Sequence, residues 1–265
     1  MTRSIGIAEL RSEVEKYVEA YPEQSGETAI WLTPLVVAAR ADERFDILSS
    51  IAADDHALPG GLLAGAKSVV VFFIPFHKAL ARENHKGELP CRNWGLADES
   101  SNRLIGRICA QVMRTLEANG HPTAMTPATH NFDEERLVSR WSHKHLGHIA
   151  GLGRLGVNAQ LITPAGCAGR MGSLVTTADL GDHPLVGEEE LCLHKRGAKC
   201  LVCVKRCPVE AVSEAGIDRH KCWARLNHNL HETEVLAGLD DQTHVCAKCQ
   251  VLVPCSLKIP PAPAA

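Results

Sequence analysis

The run Cys200-Leu201-Val202-Cys203-Val204-Lys205-Arg206-Cys207-Pro208 has the residue types and spacing to bind iron and sulfide. The pattern C-x2-C-x3-C-P is the back half of a ferredoxin cluster motif. Its short step lets two thiolates converge on one cubane, and its longer step turns the last cysteine toward a second cluster. Proline behind that cysteine suits a helix start, where its missing N–H costs nothing. A short helix over 208–212 is therefore expected, then a strand over 216–218 leading to Cys222.

The chain of 265 residues holds 11 cysteines, and eight of them lie between Cys192 and Cys255. Thiols at this density in a reducing compartment point to metal rather than disulfides. Double-cluster ferredoxins cross over, the fourth cysteine of each run ligating the other cluster. By that logic Cys200 and Cys203 share one cluster with Cys255, while Cys207 joins Cys246, Cys249 and Cys222 on the second. The usual first cysteine of the motif would fall at position 197, which is Gly197. Cys192 is the nearest replacement, reaching across the loop 193–199. The structural alternative is a four-cysteine zinc site made of Cys200/Cys203 and Cys246/Cys249. It leaves Cys207, Cys222, Cys255 and the Cys-Pro step without a purpose.

The elements that must position these thiols fall into two groups. Residues 8–20 read as an amphipathic helix, with Leu10, Val14 and Val18 four apart. Residues 67–73 form a β-branched and aromatic run expected to be a buried strand, and 91–101 read as a polar loop. Residues 102–118 read as a helix with Leu104, Ile108 and Val112 on one stripe. Cys109 lies beside that stripe, and Gly120 follows as a left-handed cap. A helix over 134–149 and strands over 157–163 and 173–177 complete an α+β arrangement. The expected division is a core over 1–190, a cysteine-rich domain over 191–258 and a disordered proline-rich tail over 259–265.

The formal net charge of −3 argues against a general nucleic-acid footprint. From Leu191 onward, 10 Lys/Arg face 7 Asp/Glu, an excess of three that suits cluster charge or an acidic electron donor. The N-terminus lacks the apolar core of a secretory leader, and the longest apolar run, 69–76, is too short to span a bilayer. A cytoplasmic location and no membrane partner are expected.

Two further motifs compete for attention. Gly151-Leu152-Gly153-Arg154-Leu155-Gly156 satisfies the dinucleotide-loop glycine pattern, but that loop must follow a strand and open a helix. Here a helix precedes it and a strand follows, so a nucleotide site is not expected. His143, His145 and His148 precede the glycines; on a helix His145 and His148 share a face, and solvated or hydrogen-bonded histidines are the commoner outcome. Asp133, Glu134 and Glu135 read as favourable charge at a helix start or as a proton donor beside a cofactor. Cys91 and Cys167 have no assigned role.

Taken together, Ala150-Gly151-Leu152-Gly153, Gly156, Asn158, Leu161-Ile162-Thr163-Pro164, Gly169-Arg170-Met171-Gly172-Ser173 and the cysteine set resemble the epoxyqueuosine reductase family, relatives of the reductive dehalogenases. The resemblance covers roughly residues 60 to 258, with Trp31-Leu32-Thr33-Pro34-Leu35-Val36 fitting shorter members. It implies a nitroreductase-like α/β core holding base-off cobalamin, followed by a ferredoxin-like domain with two [4Fe-4S] clusters. Gly151, Leu152, Gly153, Gly156, Asn158, Gly169, Arg170, Gly172 and Ser173 are the implied cobalamin contacts, and Asp133 is the implied catalytic aspartate, allowing a short insertion. The implied electron donor is a reduced ferredoxin or flavodoxin-type protein. Epoxyqueuosine reductases carry a further C-terminal helical-repeat region that grips transfer RNA. This chain stops at Ala265, so a small-molecule substrate is expected. The competing expectation is a two-cluster electron-transfer or activator protein serving a separate enzyme.

Overall fold

The computed structural model describes residues 5–127 and 130–262; residues 263–265 of the expected tail lie outside them. The first half runs α1 (Ile7–Ser25), β1 (Leu35–Arg40), the single-turn helices α2 (Leu48–Ile51) and α3 (Pro59–Leu62), β2 (Ser68–Pro75), α4 (Lys78–His85) and α5 (Arg92–Ala118). There follow β3 (Thr123–Met125), β4 (Phe132–Asp133), β5 (Val138–Ser139), α6 (His143–Ile149), β6 (Arg154–Leu155), β7 (Leu161–Ile162) and β8 (Gly169–Thr176). The cysteine-rich end adds α7 (Val202–Arg206), β9 (Val212–Ser213), β10 (Gly216–Ile217) and α8 (Arg219–His231). The fold mixes helix and sheet. No helix among the described residues is long and apolar enough to cross a membrane.

The chain forms two compact units, each drawn from three separate stretches of sequence. The first comprises 1–74, 102–152 and 171–187; the second comprises 75–101, 153–170 and 188–265. A four-stranded sheet in the order β1-β2-β8-β3 organises the first unit. β1 and β2 run antiparallel with Leu35 opposite Phe73, and β3 and β8 run antiparallel with Thr123 opposite Thr176. Every residue of β2 is buried, as its apolar run requires of a central strand. Leu10, Val14 and Val18 of α1 join Ile74, Leu104, Ile108 and Val112 in one core. Cys109 is buried there, and burial pushes its thiol up to about 12, which makes it core rather than ligand. Gly120 adopts φ 81, and His121 N–H reaches back to the Leu116 carbonyl at 3.0 Å, closing α5 as a left-handed cap does.

Several local expectations are corrected. Residues 91–101 are not a loop, because α5 begins at Arg92. Trp94, Ala97, Asp98 and Ser101 are its buried stripe, at helical spacing, but two of the four are polar and mask the periodicity. Residues 134–149 are not one helix. Asp133 Oδ1 accepts the N–H of Glu135 at 3.0 Å and of Arg136 at 2.8 Å, and Leu137 adopts φ 52, so the segment turns between β4 and β5. Only His143–Ile149 is helical. The acidic group therefore stands at a hairpin turn, not at a helix start.

The strand expected over 157–163 shrinks to β7, paired with β6, because Asn158 and Ala159 (φ 55) make the turn between them. Helix α6 precedes the glycine run and β6 lies within it, so no strand leads into the glycines and no helix opens from them, an order that excludes a dinucleotide loop. The helix expected over 208–212 is replaced by α7, which ends before Cys207. Proline disfavours helical geometry in the residue ahead of it, and Cys207 is extended at φ −71, ψ 115. Of the expected tail, Ile259 packs in the second unit and Pro260 is buried.

Candidate metal centres

The second unit contains two cavities walled by cysteine. The larger, about 240 Å³, is lined by Cys207, Cys222, Cys246 and Cys249 together with Phe76, Trp94, Asp98 and Arg170. Cys207 closes α7, and Cys222 lies in the first turn of α8, whose start is capped by Asp218 accepting the Lys221 N–H at 3.0 Å. Cys246 and Cys249 flank a turn in which Ala247 adopts φ 59. The Ala211 N–H points at Cys207 Sγ, 3.1 Å away, the kind of donor that stabilises sulfur bearing negative charge. Burial drives the Cys246 and Cys249 thiols up, and the neighbouring Cys246, Cys222 and Cys207 sulfurs add to it at Cys249. Bare thiolates are disfavoured here, whereas a bound metal deprotonates its thiols outright.

The smaller cavity, about 20 Å³, is lined by Cys192, Cys200, Cys203 and Cys255, with Val157, Asn158 and Val253. Burial first, then the Cys255, Cys192 and Cys200 sulfurs, push the Cys203 thiol up to about 11. Cys192 is buried, and its carbonyl accepts the Arg196 N–H at 3.0 Å, folding the loop so that Gly197 occupies a turn. The two cysteine pairs of the zinc alternative line different cavities, so they do not form one four-thiol site. Among the described residues no group of His, Cys, Asp and Glu converges tightly enough to hold a single metal ion. A four-iron cubane spreads its ligands over several irons and does not need that convergence.

The other singled-out residues divide between the units. In the first, the Gly151 carbonyl accepts the Leu185 and Val186 N–H groups at 2.8 and 3.0 Å, and Leu152 is buried. A Cβ on Gly172 would meet Ile105 at 2.8 Å, so this position admits a β-strand pressed against core side chains. Ser173 Oγ accepts from Trp141 Nε1 at 2.9 Å and lies 2.7 Å from His143 Nδ1. His145 Nδ1 lies 2.7 Å from Ser142 Oγ. In the second unit, Gly153 packs beneath the Ile162 carbonyl, and Gly156 N–H donates to the Gln160 carbonyl at 2.9 Å. Asn158 is buried and donates through Nδ2 to the Cys249 carbonyl at 2.7 Å. Gly169 and Arg170 face the larger cavity, where Arg170 pairs with Asp98 at 2.6 Å.

Sequence reasoning assigned nothing to Cys167, which is buried beside the smaller cysteine set. Its N–H donates to the carbonyls of Cys255 at 3.0 Å and Ser256 at 2.9 Å. A thiol hydrogen bond from Cys167 holds the Cys255 thiol below its ordinary value. The glycine-flanked turn was the available signal, but the partner segment lies some ninety residues away in sequence. Cys91 lines neither cavity; its N–H donates to Asn84 Oδ1 at 2.8 Å.

With this geometry in place, comparison with solved structures is decisive for the fold. An epoxyqueuosine reductase bound to a modified tRNA stem loop superposes over 95% of this chain at TM-score 0.56 and 15% identity. The Bacillus subtilis epoxyqueuosine reductase, captured with its catalytic-aspartate loop swung out of the active site, does so over 95% at TM-score 0.54 and 14% identity. A catabolic reductive dehalogenase in complex with 3-bromo-4-hydroxybenzoic acid matches over 85% at TM-score 0.57 and 14% identity. The chain has an epoxyqueuosine reductase-like fold. It spans 66% of the length of those epoxyqueuosine reductases and 30% of the dehalogenase. No protein-family profile matches the chain, and no curated protein matches it in sequence. At this identity the epoxyqueuosine reductase-like architecture outlasts most of its sequence.

Proposed function

We propose that the chain is an iron–sulfur reductase with two [4Fe-4S] clusters and a base-off cobalamin, acting on a small-molecule substrate. The observation that carries this reading is the distribution of eight thiols over two cavities, four to each. Cys192, Cys200, Cys203 and Cys255 would hold one cluster, and Cys207, Cys222, Cys246 and Cys249 the other. Both donor sets are all-thiol, which suits iron–sulfur clusters and excludes hard oxygen-ligated cations. When bound, the clusters would relay single electrons and cobalamin would supply the reductive chemistry at the substrate. In this reading the cysteine-rich end is ferredoxin-like and the earlier core nitroreductase-like.

For cobalamin, the support is the lining of the larger cavity. Phe76 and Trp94 meet edge to face at 5.2 Å, and Arg170 is held by Asp98. This gives an apolar wall and a fixed guanidinium beside the cluster thiols; the cavity itself, about 240 Å³, takes the cluster, and these side chains would meet only the edge of a large ring bearing polar side chains. Of the contacts the resemblance implies, Gly169 shares this lining with Arg170, whereas Asn158 lines the smaller cavity and Gly172 is packed against Ile105. A B12-dependent reductive dehalogenase shares the fold over 82% of this chain at TM-score 0.53. Electrons would come from a reduced ferredoxin or flavodoxin-type donor.

Asp133 is the carboxylate we assign as proton donor. The experiment is anaerobic loading of the cluster-reconstituted chain with hydroxocobalamin, followed by cobalt and iron quantification. About one cobalt per chain alongside iron is expected; iron without retained cobalt would instead favour an electron-transfer protein. Asp133→Asn keeps an oxygen to accept the Glu135 and Arg136 N–H groups. It should therefore leave cobalt and iron unchanged and lower turnover alone; equal turnover would remove Asp133 from that role.

A further inference from the structure

Three cations of the second unit are gathered onto the backbone of one short segment. Lys248 Nζ donates to the carbonyls of Asn84 and Lys86, the latter at 2.9 Å. Arg206 Nη2 donates to the His85 carbonyl at 2.7 Å, and Arg225 Nη2 to the Glu88 carbonyl at 3.0 Å. Lys248 is only 1% exposed. Arg206 Nε and Arg225 Nε are buried without an acceptor. Carbonyl dipoles hold these groups in place, and among the described residues no carboxylate pairs with any of the three.

Each cation belongs to a ligand of the same cysteine set. Arg206 precedes Cys207, Arg225 stands one helical turn beyond Cys222, and Lys248 lies between Cys246 and Cys249. Arg225 itself lines the larger cavity. The smaller cavity's set is served differently. Lys195 is ion-paired with Glu190 at 3.6 Å, Lys199 and Lys205 are exposed, and Arg196 donates to the Pro260 carbonyl at 3.4 Å. Exposed charges are screened by water and salt, whereas buried ones act at low effective dielectric.

We propose that Lys248, Arg206 and Arg225 form a cationic collar, buried at Lys248 and half-buried at the two arginines, that raises the reduction potential of the cluster held by Cys207, Cys222, Cys246 and Cys249 above that of its partner. The proposal rests on the two-cluster reading above. Adding an electron to a thiolate-ligated cluster adds negative charge, and fixed positive charge beside it stabilises the reduced form. With both clusters bound, one electron would pass from the reduced cluster of the smaller cavity to the oxidised cluster of the larger. No bond or proton moves, and a reduced ferredoxin or flavodoxin-type donor replaces the electron. The collar makes that transfer run downhill toward the larger cavity.

The test is a redox titration of the anaerobically reconstituted full chain, followed by electron paramagnetic resonance, with iron measured on each sample. In wild type two separate reduction waves are expected. Lys248→Met and Arg225→Met should each move the upper wave down toward the lower at unchanged iron content, and Lys248→Arg should restore it. Iron-replete variants with an unmoved upper wave would overturn the collar while leaving the two-cluster reading intact. Should Lys248→Met lose iron, Arg225→Met decides alone, since Arg225 is partly exposed. Wild type that assembles no cluster would overturn the reading on which the collar rests.

Discussion

Cys249→Ser is expected to halve the iron of the reconstituted chain, from about eight to about four per molecule, and Cys203→Ser to halve it from the other side. The reason is the separation of the thiols. Cys249 lines the larger cavity with Cys207, Cys222 and Cys246, and Cys203 lines the smaller with Cys192, Cys200 and Cys255. A serine hydroxyl is a poorer ligand for iron than a thiolate, and each cubane needs its full set. The remaining cluster should keep its own spectrum, and the double variant should retain little iron. Loss of all iron from either single variant would mean that the eight thiols serve one site. Thermal stability should fall as well, because cluster binding adds to the free energy of the folded state.

Gly166→Ala should be the most damaging change that removes no ligand. Gly166 sits at φ 83, a region that costs an L-residue about 1–2 kcal/mol. An added Cβ would also lie 2.5 Å from the backbone nitrogens of both Leu257 and Lys258. Backbone cannot rotate away as a side chain can, so the segment bearing Cys255 must shift. That segment is seated here: Cys167 and Ala168 N–H groups donate to the Cys255 and Ser256 carbonyls at 2.8–3.0 Å. A total cost of about 2–4 kcal/mol is expected. Iron from the smaller cavity should be lost first, visible as a lower melting temperature and about half the iron. Gly181→Ala is the control. It has φ 73 but only His183 Nε2 nearby, at 3.7 Å, and should pay the conformational term alone with iron intact.

Parts of this architecture were legible in sequence because they depend on residue type and local spacing. Cluster-motif spacing led to two expected sets of four cysteines, with Cys192 standing in for the cysteine missing at Gly197, and the residues of each set line one cavity. The stripe of Leu10, Val14 and Val18 and the closing Gly120 are likewise local signals. What was hidden depends on long-range contact. The first turns of α5 bury Asp98 and Ser101, both polar, so periodicity of hydrophobic residues could not reveal them. Residues 134–149 held helix-forming residues, yet Leu137 adopts φ 52 and its N–H closes back on the Asp133 carbonyl at 2.8 Å, so a single turn replaces a continuing helix. Lys248 is the sharpest case. A lysine between two cysteines reads as a solvated charge, whereas carbonyls of Asn84 and Lys86, some 160 residues earlier, bury it.

The most direct test of the two-cluster claim is iron, acid-labile sulfide and zinc analysis of anaerobically reconstituted wild-type protein, with Mössbauer spectroscopy to identify cluster type. The account expects about eight irons and eight sulfides per chain, all in [4Fe-4S] form. Stoichiometric zinc with no labile sulfide would contradict it, as would about four irons per chain, which would leave one cysteine-lined cavity without its cluster.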